Sequence, residues 1–288
     1  MSDLEKVPRK PDLKGVSIKD LVEELKERGR FVSKVPPTMS GRTFTPNVTS
    51  LSGRKYRFAV VSCTQIGSKY QQMTHLYTFY RYCQKRRIKT VFHCGDLVDG
   101  EKIYRGQEYE LFLHGANAQR DYVVDNYPKY KGITTHIISG NHDLAFWNTA
   151  GYNIVEAVCD RRDDMVYEGD WLANIVIDSI NINLMHGSGG VAYARSYKLQ
   201  KIIEQMAPEA KPHMLFVGHW HVEAHLPAYR NVEGISMGCF QAQTPYLVRK
   251  GLTPNVSGLV VDIQVDDKGL LGVNYEWRHF YEMKKKDY

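Results

Sequence analysis

Four times in this chain an apolar run stops at a cluster of metal-binding or proton-handling side chains. Ile133 to Ile138 runs into Gly140-Asn141-His142-Asp143, and Thr90 to His93 into Gly95-Asp96-Leu97-Val98-Asp99-Gly100. Ile182 to Met185 leads to His186-Gly187, and Met214 to Val217 leads to Gly218-His219-Trp220-His221. Short apolar runs bounded by glycine and polar residues read as buried strands. Polar groups set at the ends of several such strands read as one site.

The rest of the pattern alternates strand and helix. Arg57–Val61 reads as a strand, and residues from about Gln71 to Arg87 as a helix with Met73, Leu76, Tyr77, Tyr80 and Cys83 on one face. Thr90–His93 then completes a βαβ unit, which implies parallel strands, a right-handed crossover and a site at the C-terminal strand ends. A second helix is expected from about Gln107 to Asn126, burying Tyr109, Phe112, Leu113, Ala116 and Val123. Trp171–Asp178 and Ile180–Met185 alternate and lie close in sequence, which suggests an antiparallel pair. Leu199, Ile202, Ile203 and Met206 mark another amphipathic helix, and strands near Val232–Met237, Gly258–Ile263 and Leu271–Trp277 follow. Lys284-Lys285-Lys286 reads as a solvated tail. The sum is an α/β fold of two mixed sheets face to face, flanked by helices.

With 288 residues and 43% hydrophobic content the chain can bury a large core. It lacks the apolar run of about 18 residues that a bilayer span needs, and Met1-Ser2-Asp3-Leu4-Glu5 does not open like a signal peptide. A cytoplasmic protein without membrane contact is expected. The cysteines at 63, 83, 94, 159 and 239 are odd in number and never spaced as Cys-x-x-Cys, so reduced thiols are the default.

The net charge of +6 is unevenly placed: residues 1–57 hold 13 Lys+Arg against 7 Asp+Glu, and residues 58–288 hold 25 of each. Residues 1–55 are therefore read as a basic arm and residues 56–288 as the main domain. Within the arm, Ser17 to Gly29 reads as a short helix opened by a Ser-x-x-Asp box. Residues 33–53 read as a linker or as a chain draped over the domain. A basic arm fits contact with a polyanion, since each neutralised phosphate releases counterions. A solvated tail, or a device for homo-oligomerisation, is the alternative.

The ordered set Gly-Asp-x-x-Asp-Gly, Gly-Asn-His-Asp and Gly-His-x-His resembles the calcineurin-like metallophosphoesterase superfamily, from about Tyr56 to Trp277. The resemblance implies a four-layer α-β-β-α sandwich and a two-metal site. Asp96 would bridge the metals, Asn141, His186 and His219 would complete the second site, and His221 would belong to the first. His142 would give a proton to the leaving oxygen, with Asp99 orienting its ring. Asp, Asn and His ligands suit manganese, iron or zinc better than calcium. The remaining histidines read as structural.

One motif departs from the family. Where it has Asp-x-His after the first strand, this chain has Cys63-Thr64-Gln65. Cysteine ligates only as a thiolate and glutamine offers a neutral amide oxygen, so the first site is expected to be weak or empty. The plainer reading makes Cys63 a buried strand residue and Gln65 a hydrogen-bonding turn residue.

Gly100 stands where serine/threonine protein phosphatases of this family carry arginine, which argues against that branch. The first reading is a phosphodiesterase acting on nucleic acid, as in prokaryotic, archaeal and phage phosphodiesterases and DNA-repair nucleases. The alternatives are a small-molecule phosphatase or cyclic-nucleotide phosphodiesterase, and a catalytically weakened scaffold that binds partners.

Overall fold

The computed structural model describes residues 42–288. Strands β1 (Thr43–Phe44) and β2 (Thr49–Leu51) precede β3 (Lys55–Val61), α1 (Met73–Lys85) and β4 (Thr90–His93). Helix α2 (Ala116–Asn126), β5 (Thr134–Ser139), α3 (Leu144–Ala150) and α4 (Ile154–Cys159) follow. Next come β6 (Met165–Asp170), β7 (Leu172–Ile177), β8 (Ile180–His186) and α5 (Tyr197–Gln205). The chain continues through β9 (Met214–Gly218), β10 (Ala224–Tyr229), β11 (Val232–Ser236), α6 (Pro245–Lys250), β12 (Ser257–Asp266) and β13 (Gly269–His279).

Two mixed sheets result. One runs β13-β12-β3-β4-β5-β6 with β2 alongside β3, and the other runs β1-β7-β8-β9-β11-β10. Strands β3 to β6 are mutually parallel, as are β8, β9 and β11, while β7 and β8 form the expected antiparallel pair. The period of two along each strand assigns the layers. In β3, Phe58 and Val60 meet Phe92, Ile182 and Phe216 between the sheets, whereas Ala59 and Val61 face Leu76, Phe79 and Val123 of the outer helices. In β9, Met214 and Phe216 point inward, and Leu215 and Val217 lie under Leu199 and Ile203 of α5. Each fully buried Val, Leu, Ile or Phe adds about 1.5–3 kcal/mol. The architecture is thus the four-layer sandwich.

Several elements differ from expectation. The helix expected over Gln107 to Asn126 is a short 3-10 turn at Gln107–Tyr109 and then α2, which starts only at Ala116. Gly106 and Gly115 sit at φ 94° and 86°, which a continuous right-handed helix cannot contain. Tyr109, expected in the core, is 77% exposed, and Leu111 is buried instead. The tail is also more than solvated lysines. The backbone of Lys284 exchanges hydrogen bonds with Gln72 at 2.8 and 3.0 Å, and the Asp287 carboxylate accepts from Thr74 N at 2.7 Å in the first turn of α1.

The helix expected at 17–29 lies outside the described residues. Thr43–Phe44 and Thr49–Leu51, within or beside the supposed linker, add strands to both sheets. Residues 42–57 carry four of the arm's basic side chains and no acidic one. Arg54 pairs with Asp178 and with Asp267 at 2.6 Å, and Arg57 with Asp262 at 2.5 Å. Two of the thirteen basic residues of the 1–57 stretch are therefore matched by carboxylates of the domain.

Candidate metal centre

The last residue of β8, His186, and the loops that follow β3, β4, β5 and β9 carry all the candidate site residues. Cys63, Gln65, Asp96, His219 and His221 have φ of 49°, 48°, 57°, 95° and 57°. Non-glycine residues rarely occupy this left-handed region, and when they do they cluster at functional sites. Close glycines make the crowding feasible: a Cβ on Gly140 would lie 2.2 Å from Asp96 Oδ1, and one on Gly95 would lie 2.6 Å from His186 Nδ1.

Asp143, to which the sequence assigns no role, locks two of these loops. Its buried carboxylate accepts from Gly140 N at 2.8 Å, Val98 N at 3.0 Å and Leu97 N at 3.2 Å. Nothing in the local sequence points to this, because the donors belong mainly to a loop 45 residues away.

The second site of the sequence reading is brought together. His186 Nε2 lies 3.2 Å from Asp96 Oδ2 and 3.1 Å from Asn141 Oδ1. His186 Nδ1 lies 2.8 Å from the Cys94 carbonyl and donates to it, which leaves Nε2 to face the two oxygens with a second proton or a metal; burial works against charging this ring, but Asp96 raises its pKa. His219 Nε2 likewise reaches the Gly189 carbonyl at 3.1 Å, and its buried Nδ1 has no hydrogen-bond partner. Asp96, His186 and His219 offer ligand atoms within 4.8 Å of one another. A divalent cation can take the place of the proton that otherwise sits between His186 and Asp96, so a metal fits this donor set.

The electrostatics agree. Burial opposes ionisation of Asp96, but His186 and His142 outweigh it and hold the carboxylate well below its usual range. Burial, with His186 beside it, lowers His219 to about 4, and burial lowers His221 to about 3, so both rings are neutral lone-pair donors.

The first site is assembled but differently filled. Cys63, Asp96 and His221 also offer atoms within 4.8 Å of one another. Between them stands Gln65, whose Nε2 donates to Asp96 Oδ2 at 3.0 Å and lies 3.5 Å from His221 Nε2. The reverse amide orientation would set oxygen against carboxylate, so the NH₂ group supplies the positive hydrogens a cation would otherwise supply. Burial, reinforced by Asp96, pushes the Cys63 thiol well above its usual range. Its sulfur accepts from His219 N at 3.2 Å and lies 4.0 Å from Asp96 Oδ2. With the thiol protonated and an amide NH₂ facing Asp96, this half offers weaker ligands than a carboxylate and an imidazole would.

His142 and Asp99 meet as expected, with a change in the bond. His142 Nδ1 is 2.7 Å from the Asp99 carbonyl and 3.5 Å from its carboxylate, so the main chain makes the closer contact. Burial works against charging this ring, yet Asp96 and Asp99 raise it to about 9. His142 N also donates to Asp96 Oδ1 at 3.0 Å. Gly100 is fixed sterically as well as chemically: at φ 64° a Cβ would stand 2.2 Å from the His142 carbonyl oxygen. Of the histidines read as structural, His225 pairs with Glu233 and His279 with Glu223, both at 2.8 Å and away from the centre.

This fold and this cluster are those of one family, and its model, calcineurin-like phosphoesterase, matches residues 56–238. The chain belongs to the calcineurin-like phosphoesterases. Among curated relatives it is 26% identical over 226 residues to the DNA polymerase II small subunit of Methanocaldococcus jannaschii, covering 66% of this chain and 37% of that protein. It is 24% identical over 273 residues to the DNA polymerase II small subunit of Methanothermobacter thermautotrophicus, covering 76% of this chain and 54% of that protein. The chain thus spans about a third to a half of these relatives. Among solved structures, Vps29 of Chaetomium thermophilum matches with a TM-score of 0.41 and 14% identity, covering 78% of this chain and 96% of that one. No helix among the described residues is long and apolar enough to cross a membrane.

Proposed function

We propose that this chain is a metal-dependent phosphodiesterase acting on nucleic acid, with one strong metal site. The observation that carries this reading is the convergence of Asp96, Asn141, His186 and His219 ligand atoms beside His142. A divalent metal bound there would polarise a phosphoryl oxygen and offset its developing charge. Asp96 also accepts from His142 N, which fixes the acid relative to the ligands. With Nδ1 held by Asp99, His142 keeps Nε2 to donate a proton to the leaving oxygen. Manganese, iron and zinc all suit the donor set.

The polymerase small subunits support a nucleic-acid substrate and an assembly partner for the analogous region here. Of the arm proposed at residues 1–55, the part from Arg42 onward is built into the two sheets. The arm's own contribution to polyanion contact rests on residues 1–41, which hold nine Lys+Arg against seven Asp+Glu.

The Gln65 amide favours a second reading, a weakened site retained for binding partners. Chromogenic mono- and diesters assayed with manganese beside labelled DNA separate the two. Hydrolysis of the diester and of DNA supports the phosphodiesterase. Bound manganese with no turnover of any substrate supports the binding protein.

A further inference from the structure

A cavity of about 200 Å³ opens beside the metal centre, with Asn141, His142, His219 and His221 on one side. The other side carries Tyr104, Tyr246, Leu247 and Leu252. The Tyr104 and Tyr246 rings are stacked, with centroids 4.2 Å apart and planes 22° from parallel. The two residues, one in a loop and one in the first turn of α6, are far apart in sequence and are braced by one buried carboxylate. Glu110 accepts from the Tyr104 hydroxyl at 2.8 Å and from Tyr246 N at 3.1 Å. Arg249 and Lys250, exposed in the last turn of α6, place their charged groups 5.9 and 5.8 Å from the Tyr246 ring centre.

We infer that this cavity is a nucleobase subsite. The base of the nucleotide whose phosphate faces Asn141, His186 and His219 leaves its stack and lies against the Tyr104–Tyr246 pair, while Arg249 and Lys250 meet a neighbouring phosphate. The inference rests on the phosphodiesterase reading and specifies its substrate. A phosphate-facing side alone would serve any phosphoester. The rest of the lining is aromatic and apolar, the Tyr104 hydroxyl is held by Glu110 and the two rings stack on each other, so little side-chain freedom remains to be lost when a flat ring binds. Every base has a π-face, so such a wall tolerates sequence, and cations beside the rings suit the backbone. A base stacked inside a duplex cannot reach the wall without being flipped out, which takes a few kcal/mol. The preferred substrate is therefore unpaired: a single strand or a frayed end.

The test uses the full chain with manganese and two diesters that share one leaving group, thymidine 5′-(4-nitrophenyl phosphate) and methyl 4-nitrophenyl phosphate. Stacking of one base predicts a kcat/KM about tenfold or more higher for the thymidine ester. Tyr246→Ala should bring the ratio of the two esters toward one, and Tyr246→Phe should keep it. Single-stranded DNA should be cut faster than the matching blunt duplex. Equal kcat/KM for both esters in the unmodified protein would overturn the subsite and leave the phosphodiesterase reading standing. If neither ester is hydrolysed, that reading falls, and calorimetry of the manganese-loaded protein decides the subsite. Thymidine monophosphate binding tenfold tighter than inorganic phosphate, with the gain lost in Tyr246→Ala, supports it, and equal affinities overturn it. Tyr104→Leu repeats the measurement should Tyr246→Ala fail to fold.

Discussion

The two halves of the centre share Asp96 but treat it in opposite ways. On one side His186, Asn141 and His219 gather ring nitrogens and an amide oxygen around Asp96, where a proton on His186 or a metal offsets the carboxylate. On the other, the Gln65 amide hydrogens meet Asp96 and face His221, and Cys63 stays a thiol. The backbones are alike, since Cys63 and Gln65 hold positive φ just as Asp96 does. The difference teaches that a loop's shape and its capacity for metal are separate properties. Two side chains suffice to uncouple them.

The sharpest way to break the comparison is to remove the shared group. Asp96→Asn should release metal and lower the diesterase rate by about a thousandfold, the scale of several kcal/mol of charge stabilisation. Elemental analysis and steady-state kinetics read both effects. His142→Ala should slow turnover by about a hundredfold, in the range of a lost general acid, while metal content stays as in the unmodified chain. Metal loss from that variant would show that His142 is a ligand.

Restoring the first half tests the other side. Cys63→Asp with Gln65→His should raise tightly bound manganese from one to two per chain and increase the diesterase rate about tenfold or more. Two tightly bound ions in the unmodified protein would refute the assignment to Gln65. The smallest effect is expected from deleting residues 1–41, which leaves β1 and β2 in place. The logarithmic salt slope for DNA should flatten by no more than about two units, given roughly 0.9 per phosphate contact and an excess of two basic residues. An unchanged slope would assign that segment to something other than DNA contact.

The fold was largely legible because its strands are continuous apolar runs with polar stops. Asp96, Asn141, His186, His219 and His221 stood out as polar stops after apolar runs, and their expected roles came from the resemblance to the family. What stayed hidden depends on distant partners. The three amides that bind Asp143 come from two loops, and the Glu110 brace joins Tyr104 to Tyr246, neither of which a local pattern encodes. Strands β6 and β10 interrupt their apolar pattern with Glu168, Gly169 and Asp170 or with His225 and Pro227, and a six- or seven-residue helix such as α3, α4 or α6 offers too few turns for its periodicity to stand out. The break before α2 was visible as Gly115, yet an apolar stripe on both sides of it outweighed one glycine.

A residue held at positive φ away from glycine costs the fold about 1–3 kcal/mol, and Cys63 and Gln65 both adopt that conformation. Where that penalty is already met, acquiring the missing ligands needs no new loop and no insertion. One-metal and two-metal forms of this protein are then neighbours in sequence space, two substitutions apart on an unchanged backbone, and a lineage could cross between them in either direction without passing through an unfolded intermediate.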